Sequence, residues 1–505
     1  MTSFILLIFS LIPLFDLLHP GLPITHDGQD HVARIANFYQ SLTEGNIIPR
    51  WAGNLNWGYG HPILMFLYPL PSYVASLFHF IGFSFVDSTK LVFAVAYIAS
   101  IFAMYLWSKS QWGERAGFAA ALLYGFAPYR FVDLYVRGAI GEHVAFIFPP
   151  LILWATDRKR WLIGTLAVAG LLLSHNAVSL MFAPVIILYI LYHRRSFLPI
   201  VLGLLISAFF WIPALYEGRY TLRDIVTNED FAGRFVHFSQ FFYTRGNELS
   251  KEIGIVGFLI IVSAIVLFFR RREKFLGGVL IVLGISIFLM LPTSQPIWQT
   301  VTILQKFQFP WRFLHLVVFC VAVLGGLVMS KVKNQLPVAM FVAIGLLIPT
   351  YSMWNAQYYR EYPESFFTSV YKGTTDTGES SPIWSVRFME HEPSVPIEVI
   401  DGNAQVEFGL RNTTKREYKV NAQDKTRLLE NTLYFPGWQV LVDGQQVPIE
   451  FQDPNHRGLM TFAVDSGVHM ILVRFTRTKL RLYAELVSLG AFVLLGGMLI
   501  YNRKL

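Results

Sequence analysis

His26, Asp27, Gly28, Gln29, Asp30 and His31 follow one another directly after the first apolar run, and Arg34 lies three residues further on. Two carboxylates, two imidazoles and a guanidinium so close together can move a proton and neutralise an anion. A carboxylate at the rim of an apolar cavity has its pKa pushed upward by desolvation, which suits deprotonation of a hydroxyl. Asp27 is the first candidate for such a base and Asp30 the second. Asp27 can also serve as the cap of a helix from about Gln29 to Leu42, whose Val32, Ile35, Tyr39 and Leu42 form an apolar stripe. Capping explains one carboxylate and not the rest. His26 with Asp30 and Asp27 with His31 are i,i+4 pairs that could share a divalent cation if the helix began a turn earlier. Gly28 and the cap argue against a helix there, so no metal ligands are assigned, and a divalent-cation cofactor stays open.

A second cluster runs from Tyr129 to His143 and holds Asp133, Arg137, Glu142 and His143. Gly138 and Gly141 permit a tight turn, while Arg137 and Glu142 bring opposite charges. These two either staple the bundle or serve a substrate, since Arg matches a pair of phosphate oxygens well. Glu142 is the third catalytic candidate; Asp133, Arg137 and His143 are binding candidates. A third group, Trp311 and Arg312, precedes an apolar run. Trp311 also fits an interface anchor, whereas Arg312 falls on the side where the positive-inside rule gives it no reason to be. His61, His175 and Asn176 complete the binding candidates, the last two also able to satisfy backbone groups freed at their turn.

The elements that must position these residues follow from composition. The chain of 505 residues is 54% hydrophobic and 15% charged, far from the balance of a soluble domain. Candidate spans lie at roughly 3–19, 63–85, 88–107, 115–131, 143–156, 161–174, 177–192, 197–216, 252–269, 275–292, 313–330, 336–354 and 482–501. The net charge of +8 resides in turns between them, so it reports orientation and not a nucleic-acid surface. The single cysteine, Cys320, excludes an intrachain disulfide, a thiolate zinc cluster and a CxxC redox motif. Phe4 to Leu18 reads as a retained anchor.

If 63–85, with Pro69 and Pro71, is re-entrant or surface-lying, the clusters at 157–160, 193–195, 270–274, 331–333 and 503–504 all fall inside the cell together with Lys109 and Arg115. About twelve spans remain, both termini lie on the cytoplasmic side of the plasma membrane, and 20–87, 132–142, 217–251, 293–312 and 355–480 lie outside. The helices bounded by Glu142 and Asp157 and by Trp161 and Ser174 rise only some 20 Å against a core of about 30 Å. Their outer turns are therefore recessed, lining a funnel open to the outside. The expected architecture is an all-α membrane bundle over 1–354, an extracytoplasmic β-sandwich-like domain over 355–480, and a last span with cytoplasmic tail over 481–505. The hairpin signal Asp443-Gly444 and the alternating Val468 to Phe475 support the sheet domain.

Several of these motifs resemble a known family. His26-Asp27-Gly28 with His31 and Arg34, Gly58-Tyr59-Gly60 through Tyr68-Pro69-Leu70-Pro71, and Pro128-Tyr129-Arg130 with Asp133 to Gly138 and Gly141-Glu142 are similar to the bacterial membrane family labelled 6-pyruvoyl-tetrahydropterin-synthase-related. Tyr434 to Trp438 with Val442-Asp443-Gly444 resembles the outer domain of YfhO-like proteins. The match covers roughly 20–150, 305–315 and 430–475; the zinc site of the soluble pterin enzyme has no counterpart here. Both groups look like members of the GT-C glycosyltransferase superfamily. That resemblance implies a multi-span enzyme taking a sugar from a polyprenyl phosphate carrier, with an acidic residue of the first outer loop, Asp27 here and Asp30 close by, as base or acceptor-positioning group. Glu142 or Asp133 would match a second acidic position. His143 departs from the apolar or aromatic residue expected after Gly-Glu, and Asp27-Gly28 stands where protein mannosyltransferases have Asp-Glu, so the acceptor is not inferable from that branch. Arg137, Arg312 or Arg34 would neutralise the departing phosphate; the acceptor would be an envelope glycan, lipid or protein. The rival readings are a lipid or glycolipid transporter or flippase, which predicts an inverted repeat not visible by eye, and an envelope glycan-binding protein, which leaves the first cluster unexplained.

Overall fold

The computed structural model describes residues 2–227, 231–243 and 249–502. The orientation marks Arg503 and Lys504 lie outside the described residues. The chain folds into two compact units, Met1–Gln29 with Val86–Leu205 and Glu229–Glu361, and Asp30–Phe85 with Ile206–Asn228 and Tyr362–Leu505.

The first unit is helical. Four helices among the described residues of the whole chain are long and apolar enough to cross a membrane: Phe85–Trp112, Pro310–Ser330, Gln335–Met353 and Lys479–Ile500. Two bent pairs, Leu198–Ile206 with Ala208–Tyr220 at 68° and Lys274–Met290 with Pro292–Thr300 at 88°, raise the number to six if each is one span. Other apolar runs are cut short. The run 115–131 divides into Glu114–Gly125 and Pro128–Phe131, and 143–156 falls on Ile140–Ala145 and Phe148–Asp157. Proline stands at the start of the second piece each time, where its missing N–H costs no helical bond. The run 63–85 breaks at Pro69 into Ile63–Phe66 and Leu70–Phe80, and 11 residues rise about 16 Å, too little to cross.

Leu314–Ser330 is the central packing element of this unit, with almost every side chain buried. It approaches Glu114–Gly125 closely because Gly325 and Gly326 face Leu123 and Ala120; a Cβ at Gly325 would stand 2.0 Å from Leu123 Cδ1. Small residues permit such backbone approach where lipid supplies no hydrophobic drive.

The second unit contains the sheets. Five antiparallel strands lie in the order Ala404–Arg411, Lys415–Ala422, Gly467–Phe475, Trp438–Val442, Gln445–Val447, and three in the order Ile397–Asp401, Thr426–Leu433, Leu459–Val464. Tyr418 Oη donates to Glu430 at 2.7 Å and joins the two sheets. Asp443 and Gly444 both take positive φ, 49° and 82°, in the two-residue turn that their types call for. In the same unit Lys479–Asn502 packs on Ala208–Glu217, with Arg481 paired to Glu217 at 2.9 Å and Arg50 to Glu485 at 3.0 Å.

Candidate functional site

Within the first unit the chain after the N-terminal helix is tied down by backbone pairing. Leu22–Pro23 pairs antiparallel with Tyr359–Arg360. His26 N–H then donates to Val136 O at 3.0 Å, and Asp27 N–H to Arg137 O at 2.9 Å. The two acidic clusters of the sequence, more than a hundred residues apart, thus meet at the backbone. Two glycines allow it. Gly138 has φ of 65°, and a Cβ there would sit 2.2 Å from Thr25 Oγ1 and 3.3 Å from Gly28 N. Thr25 Oγ1 in turn accepts from Gly28 N–H at 3.0 Å, closing the start of the helix Gly28–Thr43. Asp27 precedes that helix and is exposed, as is His26. Since the helix begins at Gly28, the i,i+4 pairs that would share a cation do not fall on one helical face.

Glu142 is the hub of the second cluster. Arg137 grips it with both terminal nitrogens, Nη1 to Oε2 at 2.7 Å and Nη2 to Oε1 at 2.8 Å. Arg312 Nε reaches Oε1 at 2.8 Å and Tyr129 Oη donates to Oε2 at 3.1 Å. Arg137 Nη1 also meets Asp133 Oδ1 at 2.7 Å, and its guanidinium lies 4.5 Å from the centre of the Trp311 ring. All six residues are at least nine-tenths buried. Burial alone raises a carboxyl pKa, but Arg137 and Arg312 outweigh it and hold Glu142 well below the usual range.

Two histidines close the cluster. His175 Nδ1 accepts from Val178 N–H at 3.2 Å, capping Asn176–Tyr192 and leaving Nε2–H directed at Glu142 Oε1, 3.7 Å away. His315 Nδ1 lies 3.0 Å from Arg312 O, which can only accept, so Nε2 faces Glu142 Oε2 at 3.5 Å with its lone pair. Asp133, Glu142 and His315 bring ligand atoms within 4.8 Å of one another. They do not suit a divalent cation as they stand, because Glu142 accepts four hydrogen bonds, three of them from guanidinium nitrogens that would repel it. Arg130 lies beneath, fully buried, donating to Ser100 Oγ at 2.8 Å with its guanidinium 3.9 Å from the Phe146 ring centre.

The structure thus gathers Asp133, Arg137, Glu142, His175, Trp311 and Arg312, with His143 beside Asp133 at 3.8 Å and Asn176 opening the helix that His175 caps. Apart from His26 and Asp27, the remaining candidates belong to the second unit. There Arg34 binds His31 Nδ1 at 3.0 Å and the backbone oxygen of Thr375, and Tyr371 Oη donates to Asp30 at 2.7 Å. His61 Nε2 lies 3.2 Å from Ser381 Oγ, and burial pushes its pKa down to about 4, so it is neutral at physiological pH. The sequence reading did not name His315, and it quoted Tyr129 and Arg130 within a motif without giving either a role. The signal for His315 is its place three residues after Arg312, one turn along the same helix.

No family model matches the chain. A stretch of 239 residues is 26% identical to an uncharacterized protein of Lactococcus lactis subsp. cremoris (strain MG1363), covering 42% of this chain and 39% of that protein, so the match spans well under half of the relative's length. Among solved structures, the chain is similar to the arabinofuranosyltransferase AftD from Mycobacteria, with a TM-score of 0.45, 16% identity, and coverage of 70% of this chain and 26% of that one. It is also similar to the Archaeoglobus fulgidus oligosaccharyltransferase in its apo form, with a TM-score of 0.43, 13% identity, and coverage of 75% and 61%. A third is ArnT from Cupriavidus metallidurans bound to undecaprenyl phosphate, with a TM-score of 0.36, 16% identity, and coverage of 72% and 67%.

Proposed function

We propose that the protein is a membrane glycosyltransferase of the GT-C kind, moving a sugar from a polyprenyl-phosphate-linked donor to an extracytoplasmic acceptor such as an envelope glycan, lipid or protein. The observation that supports this reading is the backbone hydrogen bond from Asp27 N–H to Arg137 O, which ties an exposed acidic residue to the segment that carries the buried Arg137. In the transfer the acceptor oxygen attacks the anomeric carbon, the bond from that carbon to the carrier phosphate breaks, and its electron pair leaves on the phosphate. Asp27 takes the acceptor's proton. Arg137 and Arg312, locked in place by Glu142, offset the charge that develops on the phosphate. Counting Arg130, Arg137 and Arg312 against Asp133 and Glu142 leaves one positive charge for that task.

Glu142 in this reading organises the arginines, and Asp27 does the proton transfer. His26, His143, His175, Asn176 and Trp311 supply contacts to sugar or carrier. The arrangement of about twelve spans, with both termini inside and the sheet domain outside, belongs to the same reading. It lets a lipid-borne donor enter from the bilayer and keeps the chemistry on the outer face. Asp27→Asn lowers sugar transfer from a polyprenyl-phosphate donor by about 10²–10⁴-fold, the usual worth of a general base, while the amount of protein in the membrane stays constant. Full activity in that variant removes the assignment.

A further inference from the structure

The second unit holds a cavity of about 350 Å³, within the range of small-ligand sites, that takes no part in the transfer reading above. Its walls come from the segment 40–58, from 370–396 and from the hairpin Ala404–Arg411 with Lys415–Ala422. The charges around it cancel. Arg411 and Arg416 stand opposite one another across the hairpin, and Glu430 lies 3.6 Å from Arg411 Nη1 and 3.3 Å from Arg416 Nε. Glu392 lines the cavity as well and matches the second guanidinium. Just outside, Lys372 over the Trp57 ring and Glu44 bound to Thr413 N–H add one charge of each sign. Arg416 is 1% exposed, with its guanidinium 4.7 Å from the centre of the Trp438 ring, so it belongs to the wall and not to the groups a ligand can reach.

The reachable groups are uncommitted and of both kinds. Among the described residues, Asn412 Nδ2 and Trp57 Nε1–H donate to nothing, and Arg411 engages only Nη1, while Asn54 Oδ1 and the Glu392 carboxylate accept from nothing. Unlike the nitrogens of Arg416, these groups are not sealed from solvent. A hydroxyl both donates and accepts, so a row of hydroxyls satisfies such a mixed wall where a ligand of one kind would not.

The remaining feature is the backbone at Trp57. Both it and Asn56 adopt the left-handed region, with φ of 60° and 54°, a conformation that a bulky side chain rarely takes. The strained turn is held in place from outside: Asn56 N–H donates to Gly373 O at 2.8 Å, Trp57 N–H to Tyr371 O at 3.0 Å, and Asn56 Oδ1 accepts from Met389 N–H at 3.0 Å. The effect is to present a half-buried indole at the cavity wall in one fixed orientation. Lys372, which does not line the cavity, has Nζ 4.9 Å from the ring centre and leaves one face of the indole for a ligand.

We propose that this cavity binds an uncharged saccharide unit. The C–H face of a pyranose stacks on Trp57, and its hydroxyls accept from Asn412 and Arg411 and donate to Glu392 and Asn54. An apolar ligand would leave these groups unpaired, and an ion of either sign would upset a balanced set of charges. A peptide backbone supplies one donor and one acceptor per residue, too sparse for this wall, and has no ring of C–H groups to lay on the indole. The proposal concerns the second unit alone and does not depend on the transfer reading.

The test is ligand-observed saturation-transfer NMR on the full chain in lipid nanodiscs, with glucose, galactose, mannose and N-acetylglucosamine as neutral probes and glucuronate and triglycine as the charged and peptide probes. At least one neutral sugar binds, more tightly than glucuronate or triglycine. Its affinity falls roughly tenfold or more in Trp57→Asn, where Asn keeps the left-handed backbone at little cost. In Glu392→Ala, at an exposed residue with no partner to lose, it falls roughly threefold or more. Asp27→Asn binds as the wild type does. Should Trp57→Asn melt earlier than the wild type, Glu392→Ala decides alone. The proposal is overturned if no neutral sugar binds, if glucuronate or triglycine binds more tightly than every neutral sugar, if Asp27→Asn abolishes binding, or if either cavity variant, folded as the wild type is, binds unchanged.

Discussion

Asp27 and Glu142 are both acidic, and the transfer reading gives them opposite duties because one is exposed and the other buried. Glu142 is 1% exposed and accepts from two guanidiniums and a phenol, so removing it strands Arg137 and Arg312 in a low-dielectric site. Glu142→Ala should cost about 3–5 kcal/mol of stability, the usual penalty for breaking a buried pair from one side. Thermal unfolding in detergent, followed by fluorescence or by residual folded fraction, checks this; an unchanged midpoint would show that the carboxylate does not hold the arginines. Asp27 is exposed, and its replacement leaves that midpoint where it was. The pair of measurements separates a residue that positions from one that reacts.

At the scale of elements, the approach of the first loop to the 136–138 segment depends on absent side chains. Gly138→Ala introduces a Cβ against Thr25 Oγ1 and forces a non-glycine residue to φ of 65°. The backbone alone makes that about 1–2 kcal/mol less stable, and the displaced Asp27 reduces sugar transfer at least tenfold; wild-type transfer by this variant would show that the close approach is dispensable. The hairpin at Asp443-Gly444 offers a pH-dependent counterpart. The hydrogen bond from His469 to the Asp443 carboxylate raises the imidazole pKa above its ordinary 6.5. Protonated His469 is therefore bound more strongly in the folded state. Its contribution is complete below pH 6.5, the ordinary value, and is lost as pH rises through the raised one. The difference in melting temperature between wild type and Asp443→Asn should accordingly shrink as pH rises above 6.5 through the raised value; a constant difference would mean that the pair contributes nothing through protonation.

For the molecule as a whole, the transfer reading requires that Asp27 and the sheet domain face the same compartment. Cys320 is buried, so single cysteines can be added without removing it. His26→Cys and Glu407→Cys should react with a membrane-impermeant maleimide on intact cells, whereas Lys159→Cys should react only after permeabilisation. Labelling of position 26 and position 159 from one side would end the proposal. The spans themselves were only partly legible. Long runs such as 313–330 and 482–501 are helices Leu314–Ser330 and Lys479–Asn502, since nothing within them interrupts the backbone. Some runs divide at proline, as at Pro128 and Pro149, whereas Asn176–Tyr192 keeps Pro184 within a continuous helix, and among the described residues the number of single helices that can cross is four where about twelve spans were expected. Hydropathy sums over a window and does not register where the hydrogen-bond ladder is broken.

The sequence by itself determined the apolar segments, the Asp443-Gly444 turn and the presence of two acidic, arginine-bearing clusters, because each is a matter of local composition, periodicity or turn chemistry. Only the tertiary structure decided which charges meet. It brought Arg312 and His315 to Glu142 across 170 and more residues, took Arg34 and His61 into a different unit, and set Arg411 opposite Arg416 at the wall of a cavity. Ion pairing acts over a few ångströms. Nothing in the spacing of residues along a chain says which of them the fold will bring that close.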